Sequence, residues 1–256
     1  YGVDIQPIAI QISKLRFFIS LVIDQKTNNK PEDNFGIRPL PNLEAKFVAA
    51  NTLLSLNKSE VSLFDTETIK AKERELKVAK HKIFSAKTVR TKRKYRDRVC
   101  ELRQEIAALL EELGAVGNAE ARQLAQWDMF DQNVTSPFFD SEWMFGVNDG
   151  FDIVIGNPPY VSTKGVSNEM KKVFEKEYGF SDDLYNLFTF RGLALCTDGG
   201  SLTLITPKTF WTTQTKRNMR DLMLSNRLCY VFDTANPFEA VMVDTCIWQV
   251  VKTPFN

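Results

Sequence analysis

From Pro7 to Asp24 apolar residues recur at Ile8, Ile12, Leu15, Ile19 and Val22. This three-and-four spacing places them on one stripe of an α-helix. Pro7 suits the first helical turn, where its missing N–H costs nothing. Tyr1 to Asp4 reads as the end of a preceding strand, and Phe47-Val48-Ala49-Ala50 as a short buried strand ending at Asn51. Between them Thr27 to Pro41 is polar, carries Gly36 and three prolines, and reads as loop.

The pattern changes after residue 57. No Gly or Pro occurs from Asp65 to Leu113. Val99, Leu102, Ile106, Leu109 and Leu113 follow a coiled-coil seam, and Leu76, Ala79, Ile83 and Ala86 follow another that is out of register with it. A hairpin broken near Phe84 to Thr88, with Thr88 capping the second helix, reconciles the two. Gly114 to Asn118 then stops that helix, and Ala119 to Asp131 reads as a third.

Residues 134–256 return to alternation of strand and helix. A buried strand Phe151 to Gly156 precedes a helix from about Asp183 to Cys196, a turn at Asp198-Gly199-Gly200 and a strand from Ser201 to Thr206. A helix over Gln214 to Ser225 and strands at Leu228 to Asp233 and Thr245 to Val251 complete the series. The fold class is therefore α/β: residues 1–57 and 134–256 form one domain with a parallel-type sheet covered on both faces, and 58–133 insert a helical arm.

Composition narrows the chemistry. Of 256 residues 43% are hydrophobic and 25% charged, which excludes a wholly disordered chain. The most apolar run, Leu15 to Ile23, contains Arg16 and is too short to span a bilayer, so no membrane partner is expected. The chain opens Tyr1-Gly2-Val3-Asp4 without a secretory progression or initiator Met, and reads as a fragment. Its one histidine, His81, lies between Lys80 and Lys82 and reads as a solvated helix residue, not a base. Cys100, Cys196, Cys229 and Cys246 contain no C-x-x-C pair. They read as reduced, mostly buried thiols of a cytoplasmic protein, with no metal site. Net charge is +1, yet thirteen Lys/Arg face three acids between Lys70 and Arg98, which leaves the remainder at −9. Clustered cations such as Lys87, Arg90, Lys92, Arg93 and Lys94 suit phosphates; a solvated helical face is the plainer alternative.

Asn157-Pro158-Pro159-Tyr160 closes the strand at Phe151. Ligands of open α/β sheets bind beyond the carboxyl ends of strands. Two prolines fix the backbone and remove two donors, leaving carbonyls and the Asn157 amide oxygen as acceptors. Such an array suits a substrate –NH2 group, and Tyr160 adds a π-face for a flat ring.

After Phe151-Asp152-Ile153-Val154-Ile155-Gly156, this tetrapeptide resembles the catalytic motif of S-adenosylmethionine-dependent amino methyltransferases. Tyr1-Gly2-Val3-Asp4-Ile5, Asp183-Leu184-Tyr185-Asn186-Leu187-Phe188, Asp198-Gly199-Gly200, Leu202 to Pro207, and Pro237-Phe238-Glu239-Ala240-Val241 follow in the family's order. The ordered set resembles adenine-N6 DNA methyltransferases of restriction–modification systems, especially large fused type IIG and phage-defence enzymes with a helical insertion. The resemblance implies a partial Rossmann-like methyltransferase sheet, S-adenosylmethionine as cofactor and double-stranded DNA as partner. It implies that Asp4 holds the cofactor ribose and Ile5 packs on its adenine, with Asn51 standing where the family often has Asp, and Phe188 as a further contact. Asn157 and the Pro158 carbonyl would accept from the target amine, Pro159 would fix the turn, and Tyr160 and Phe238 would sandwich a flipped base. No G-x-G cofactor loop occurs, so the family pattern places that loop before Tyr1 and a target-recognition domain after Asn256. Transfer to a protein glutamine amide or an RNA base, and a non-catalytic nucleic-acid-binding scaffold, remain alternatives. Pro31-Glu32-Asp33 with Glu44-Ala45-Lys46 matches a metal-nuclease pattern only superficially.

Overall fold

β1 (Gly2–Asp4) and β2 (Phe47–Ala49) pair in parallel in the computed structural model of the chain, with Val3 opposite Val48 and Asp4 opposite Ala49. The structure describes every residue except 39, 42, 56–66, 87, 113–121, 123–124, 126, 129–130, 132, 238–242 and 255–256. Two units result, Tyr1–Gly146 and Val147–Asn256.

In the first unit, α1 (Pro7–Ile23) follows β1 with Pro7 at its start, as its sequence predicts. Ile10 is buried in a small core with Leu43 and Phe47. The predicted apolar stripe is elsewhere on the helix: Ile8, Ile12, Leu15, Ile19 and Val22 are all exposed, Leu15 by 59%. A two-stranded sheet is too narrow to cover more than one line of a helix, and the line it covers is Ile10 and Phe18.

The arm is the predicted hairpin. α2 (Glu67–Phe84) and α3 (Val89–Glu112) flank the break, and the Thr91 N–H donates to Thr88 Oγ1 at 3.1 Å, which makes Thr88 a capping residue. Leu76, Ala79 and Ile83 on α2 and Val99, Leu102 and Ile106 on α3 are buried, so both seams face inward. The third helix expected over 119–131 lies largely outside the described residues. A short α4 (Ser141–Phe145) buries Trp143, Met144 and Phe145; Asp140 caps it by accepting from the Trp143 N–H at 2.7 Å.

Two cations are buried within the hairpin, one on each helix. Arg103 is 1% exposed, 4.9 Å over the Trp127 ring and 3.9 Å from Asp128. Lys80 Nζ donates to the Trp143 carbonyl. Burial and the neighbouring Arg103 charge push Lys80 down to about 7, against a smaller upward pull from Asp140.

The second unit contains β3 (Phe151–Gly156), α5 (Asn168–Tyr178), α6 (Leu184–Leu195), β4 (Cys196–Pro207), α7 (Arg217–Leu224), β5 (Asn226–Ala235) and β6 (Thr245–Pro254). The sheet order is β3-β4-β6-β5. β3 pairs with β4 in parallel, but β6 is antiparallel to both its neighbours, a mixed sheet where the sequence suggested a parallel one. Nine residues separate Ala235 from Thr245, too few for the crossover that a parallel return requires. The predicted turn at Asp198 is a bulge within β4: Phe151 pairs with Cys196 and Ile153 with Ser201, with Gly199 at φ +80 between them.

One face of this sheet buries Leu202, Leu204, Cys246, Trp248 and Val250 with Tyr185, Leu193, Met219 and Met223. Helix and strand touch at Gly192, where a Cβ would stand 2.7 Å from Leu202 Cδ1. On the opposite face Ile153, Ile155 and Phe232 are 69%, 76% and 64% exposed. Among the described residues β3 pairs with β4 alone and packs only Val154 against the core, so it is not the buried strand its composition suggested. Cys196 and Cys246 are buried while Cys100 and Cys229 are exposed, so the thiols are not mostly buried as read. His81 is exposed on α2.

A lysine whose proton is less tightly held when folded penalises folding below its folded pKa. That penalty is lifted as pH rises from about 7 towards the unfolded value of 10.5. Relative to Lys80→Met, the wild-type chain should therefore gain stability between pH 7 and 9 in urea melts. Parallel pH profiles for the two would show that Lys80 is not held deprotonated.

Candidate active site

Asn157 leaves the sheet directly after Gly156, whose register partner is Leu204. Pro has no N–H for a ladder, so the strand ends where the prolines begin. Asn157 and Pro159 are exposed, Pro158 is buried, and Tyr160 is half-buried. The Tyr160 hydroxyl donates to the Ile205 carbonyl at 3.4 Å, tying the motif to the neighbouring strand. Burial, then the nearby Cys246, raise the Tyr160 pKa, so it remains a donor at neutral pH.

The segment after Tyr160 is held by a buried polar cluster. The Leu184 N–H donates to the Val161 carbonyl at 3.0 Å, and the Thr163 N–H to Asp183 Oδ1 at 3.1 Å. Lys216, 4% exposed, pairs with Asp182 and, at 2.8 Å, with Asp183. Burial alone would lower the Lys216 pKa; its hydrogen bonds to both carboxylates outweigh it and raise it. Asn186, wholly buried, donates to Asn218 Oδ1 at 3.1 Å, and Tyr185 and Thr209 hydroxyls meet at 3.3 Å. Asp183 precedes α6 without capping it, because its carboxylate is committed to Thr163 and Lys216.

β4 and β5 end on the same rim as β3. There Lys208 Nζ lies 3.0 Å from Asp233 and 3.2 Å from Asp244. Sequence reading missed both Lys216 and Lys208. The paired acids Asp182 and Asp183 ahead of a helix were the available signal, but their partner lies more than thirty residues further along the chain.

In the first unit Asp4 is the last residue of β1 and Asn51 follows the end of the parallel β2; the Ala50 N–H donates to the Asp4 carbonyl at 2.9 Å. The exposed Asp4 carboxylate accepts from the Gln6 N–H at 2.7 Å, and Asn51 Oδ1 accepts from the Leu53 N–H at 3.2 Å. Ile5 is 57% exposed. Asp4, Ile5 and Asn51 are thus brought together at one sheet end. Phe188 lies half-buried on α6, in the unit that carries Asn157. Phe238 and Lys87 lie outside the described residues. Lys46, of the superficial nuclease pattern, instead sits 4.2 Å over the Tyr1 ring. No group of metal-ligating side chains occurs among the described residues, and no described helix is long and apolar enough to cross a membrane.

Residues 1–237 match the model of the Eco57I restriction-modification methylase family. The type II methyltransferase M.BstVI of Geobacillus stearothermophilus is 30% identical over 109 residues, covering 40% of this chain and 19% of that protein. M.HincII of Haemophilus influenzae is 28% identical over 111 residues, covering 40% and 22%. The chain spans about a fifth of the length of the curated relatives it matches. Among solved structures, the type IIG restriction endonuclease BpuSI is similar at 19% identity and a TM-score of 0.34, over 73% of this chain and 25% of that one.

Replacing Lys216 with Met leaves two largely buried carboxylates facing each other unpaired. The expected loss is about 3 kcal/mol, the low end for a broken buried pair because the carboxylates keep some water. Urea unfolding followed at Trp248 and Trp211 would measure it. A loss below about 0.5 kcal/mol, the scale of an exposed pair, would place Lys216 outside the cluster.

Proposed function

The chain belongs to the Eco57I restriction-modification methylase family, and from that premise we propose that it carries the catalytic part of a site-specific DNA methyltransferase. The enzyme transfers a methyl group from S-adenosylmethionine to adenine N6 in duplex DNA. The observation that carries this reading is the Asn157-Pro158-Pro159-Tyr160 turn at the carboxyl end of β3, with its tyrosine anchored on Ile205. The names of the type II methyltransferase relatives support methyl transfer.

Asn157 is exposed and its amide oxygen is an acceptor; the Pro158 carbonyl is a second. Two acceptors drawing on one exocyclic amine favour a pyramidal nitrogen whose lone pair is free to attack. The prolines hold both acceptors in place before substrate arrives, so no reorganisation is needed at the moment of reaction. Tyr160, fixed at its hydroxyl, offers a ring face to a base taken out of the stack, and Phe238 supplies the opposing ring.

The residues at the end of β1 suit a nucleoside. Asp4 presents a carboxylate to vicinal hydroxyls, and Ile5, exposed and outside the unit's small core, presents an apolar face to a purine. Asn51 can pair with an adenine edge through its amide. When bound, S-adenosylmethionine supplies an activated sulfonium methyl, and the chain has only to orient and accept. Target recognition belongs to the remainder of the full-length protein.

In the full-length protein Asn157→Ala should lower methyl transfer to duplex DNA by about 10²-fold or more, with cofactor affinity nearly unchanged. Digestion of the labelled product should yield N6-methyladenine; label in cytosine, RNA or protein, or a wild-type rate from the variant, would refute the assignment. Asp4→Ala should act on the other half of the reaction, weakening cofactor binding by about 1–3 kcal/mol through lost hydrogen bonds to a charged acceptor. Calorimetry would read it, and equal affinities would return Asp4 to a structural role at the start of α1.

A further inference from the structure

The hairpin's cations fall into two groups that the sequence presents as one run. Away from the turn they are satisfied internally. Lys72 pairs with Glu105. Arg98 lies 2.9 Å from Glu75, 3.1 Å from Glu101 and 3.4 Å from Glu105. Arg96 reaches Asp128 at 3.5 Å, and Lys80 and Arg103 are buried. These groups hold the two helices to each other and to the residues around Trp127 and Trp143.

Around the turn the situation reverses. Arg90, Arg93 and Lys94 are exposed, and among the described residues none of them has an ion-pair partner; Lys92 beside them has none either. On the other helix Lys82 is exposed and lies 5.4 Å over the Tyr95 ring. Arg90, Arg93 and Lys94 stand at i, i+3 and i+4, where like charges repel and weaken the helix that carries them. Asp97, at i+4 from Arg93 and i+3 from Lys94, is the nearest acid along α3, and the described ion pairs leave it unpaired with either. The structure thus keeps three exposed cations without an ion-pair partner, beside Lys92, just after the capped start of α3.

We propose that this tip, centred on Arg90, Arg93 and Lys94 with Lys82 and Lys92 beside them, is a binding surface for the sugar–phosphate backbone of duplex DNA. This rests on the methyltransferase reading for its DNA substrate. Phosphate is favoured over a protein surface because the described tip exposes no aromatic anchor of the kind that protein interfaces bury. It is favoured over a lipid surface because Val89 is the one large exposed apolar side chain among the described residues around the turn. The remainder of this chain carries a net −9, so within it the attraction for a polyanion is concentrated in this cluster. The contact positions the duplex without reading its sequence.

The test uses full-length protein and fluorescence anisotropy on a labelled duplex lacking the recognition sequence, without cofactor, across a series of potassium chloride concentrations. The variant R90Q/R93Q/K94Q should flatten the slope of log K against log salt by about 2–3, or roughly 0.9 per lost phosphate contact. Its thermal midpoint should be unchanged or higher, since repulsion is removed. The control R96Q/R98Q should lower the thermal midpoint and leave the slope alone. An unchanged slope in the triple variant overturns the proposal, as does a fall in its thermal midpoint at constant slope, which would mean that the tip docks on protein. Loss of binding to anionic vesicles with DNA binding intact overturns it in favour of a lipid surface. Because binding is read without turnover, a triple variant with the expected slope but a full-length protein that methylates no DNA would refute the methyltransferase reading and leave the phosphate surface standing.

Discussion

The parallel pairing of β3 with β4 is the constraint on which the candidate site depends. With Gly156 opposite Leu204, the chain leaves β3 one residue before Ile205 comes level, so Tyr160 can reach the Ile205 carbonyl from the turn. A shift of one residue would reverse which side chains face α6 and α7 and carry Val154 out of the core. The prolines also make the register self-limiting, because they cannot extend the ladder. The return of β6 antiparallel to β4 then brings Asp244 and Asp233 to the rim where Lys208 stands. One strand pair therefore fixes both the acceptor turn and the charged groups beside it.

Two buried lysines show how differently a fold can accommodate the same side chain. Lys216 is given two carboxylates and stays charged, and its charge is used to hold the segment that follows Tyr160. Lys80 is given a carbonyl and an arginine neighbour, and is pushed towards neutrality. The first arrangement resists loosening because removal of any member leaves a buried charge. The second tolerates burial only because a lysine can release its proton, which the nearby Arg103 cannot do. The candidate site in the second unit is thus tied by a charged cluster, whereas Lys80 in the hairpin is buried with its charge opposed.

Much of this was legible from spacing. The hairpin was, because two seams out of register demand a break and Thr88 supplied the cap; so were α1, α6 and the end of β3. What was not legible depended on residues distant in sequence. The stripe on α1 reads as core from its period, yet the structure packs Ile10 and Phe18 instead, since a period tells which residues share a face and not what covers it. The same holds for Ile153 and Ile155, whose apolar character is compatible with burial that the described sheet does not provide on that side. The antiparallel return of β6 could have been foreseen from the nine residues after Ala235. The Lys216 cluster could not, since its acids and its lysine belong to different elements, and neither sequence context is unusual alone.

The site's chemistry is consistent with a chain that holds a single histidine, far from Asn157 in sequence and exposed on α2. Attack by a neutral amine on an activated methyl needs orientation and acceptors, and any proton leaves after the new bond has formed. A general base would have to be charged or titratable, and at this turn it would compete with the amine for hydrogen bonds. The turn offers instead two neutral acceptors whose positions do not vary with pH, and a tyrosine whose pKa is raised further from the working range.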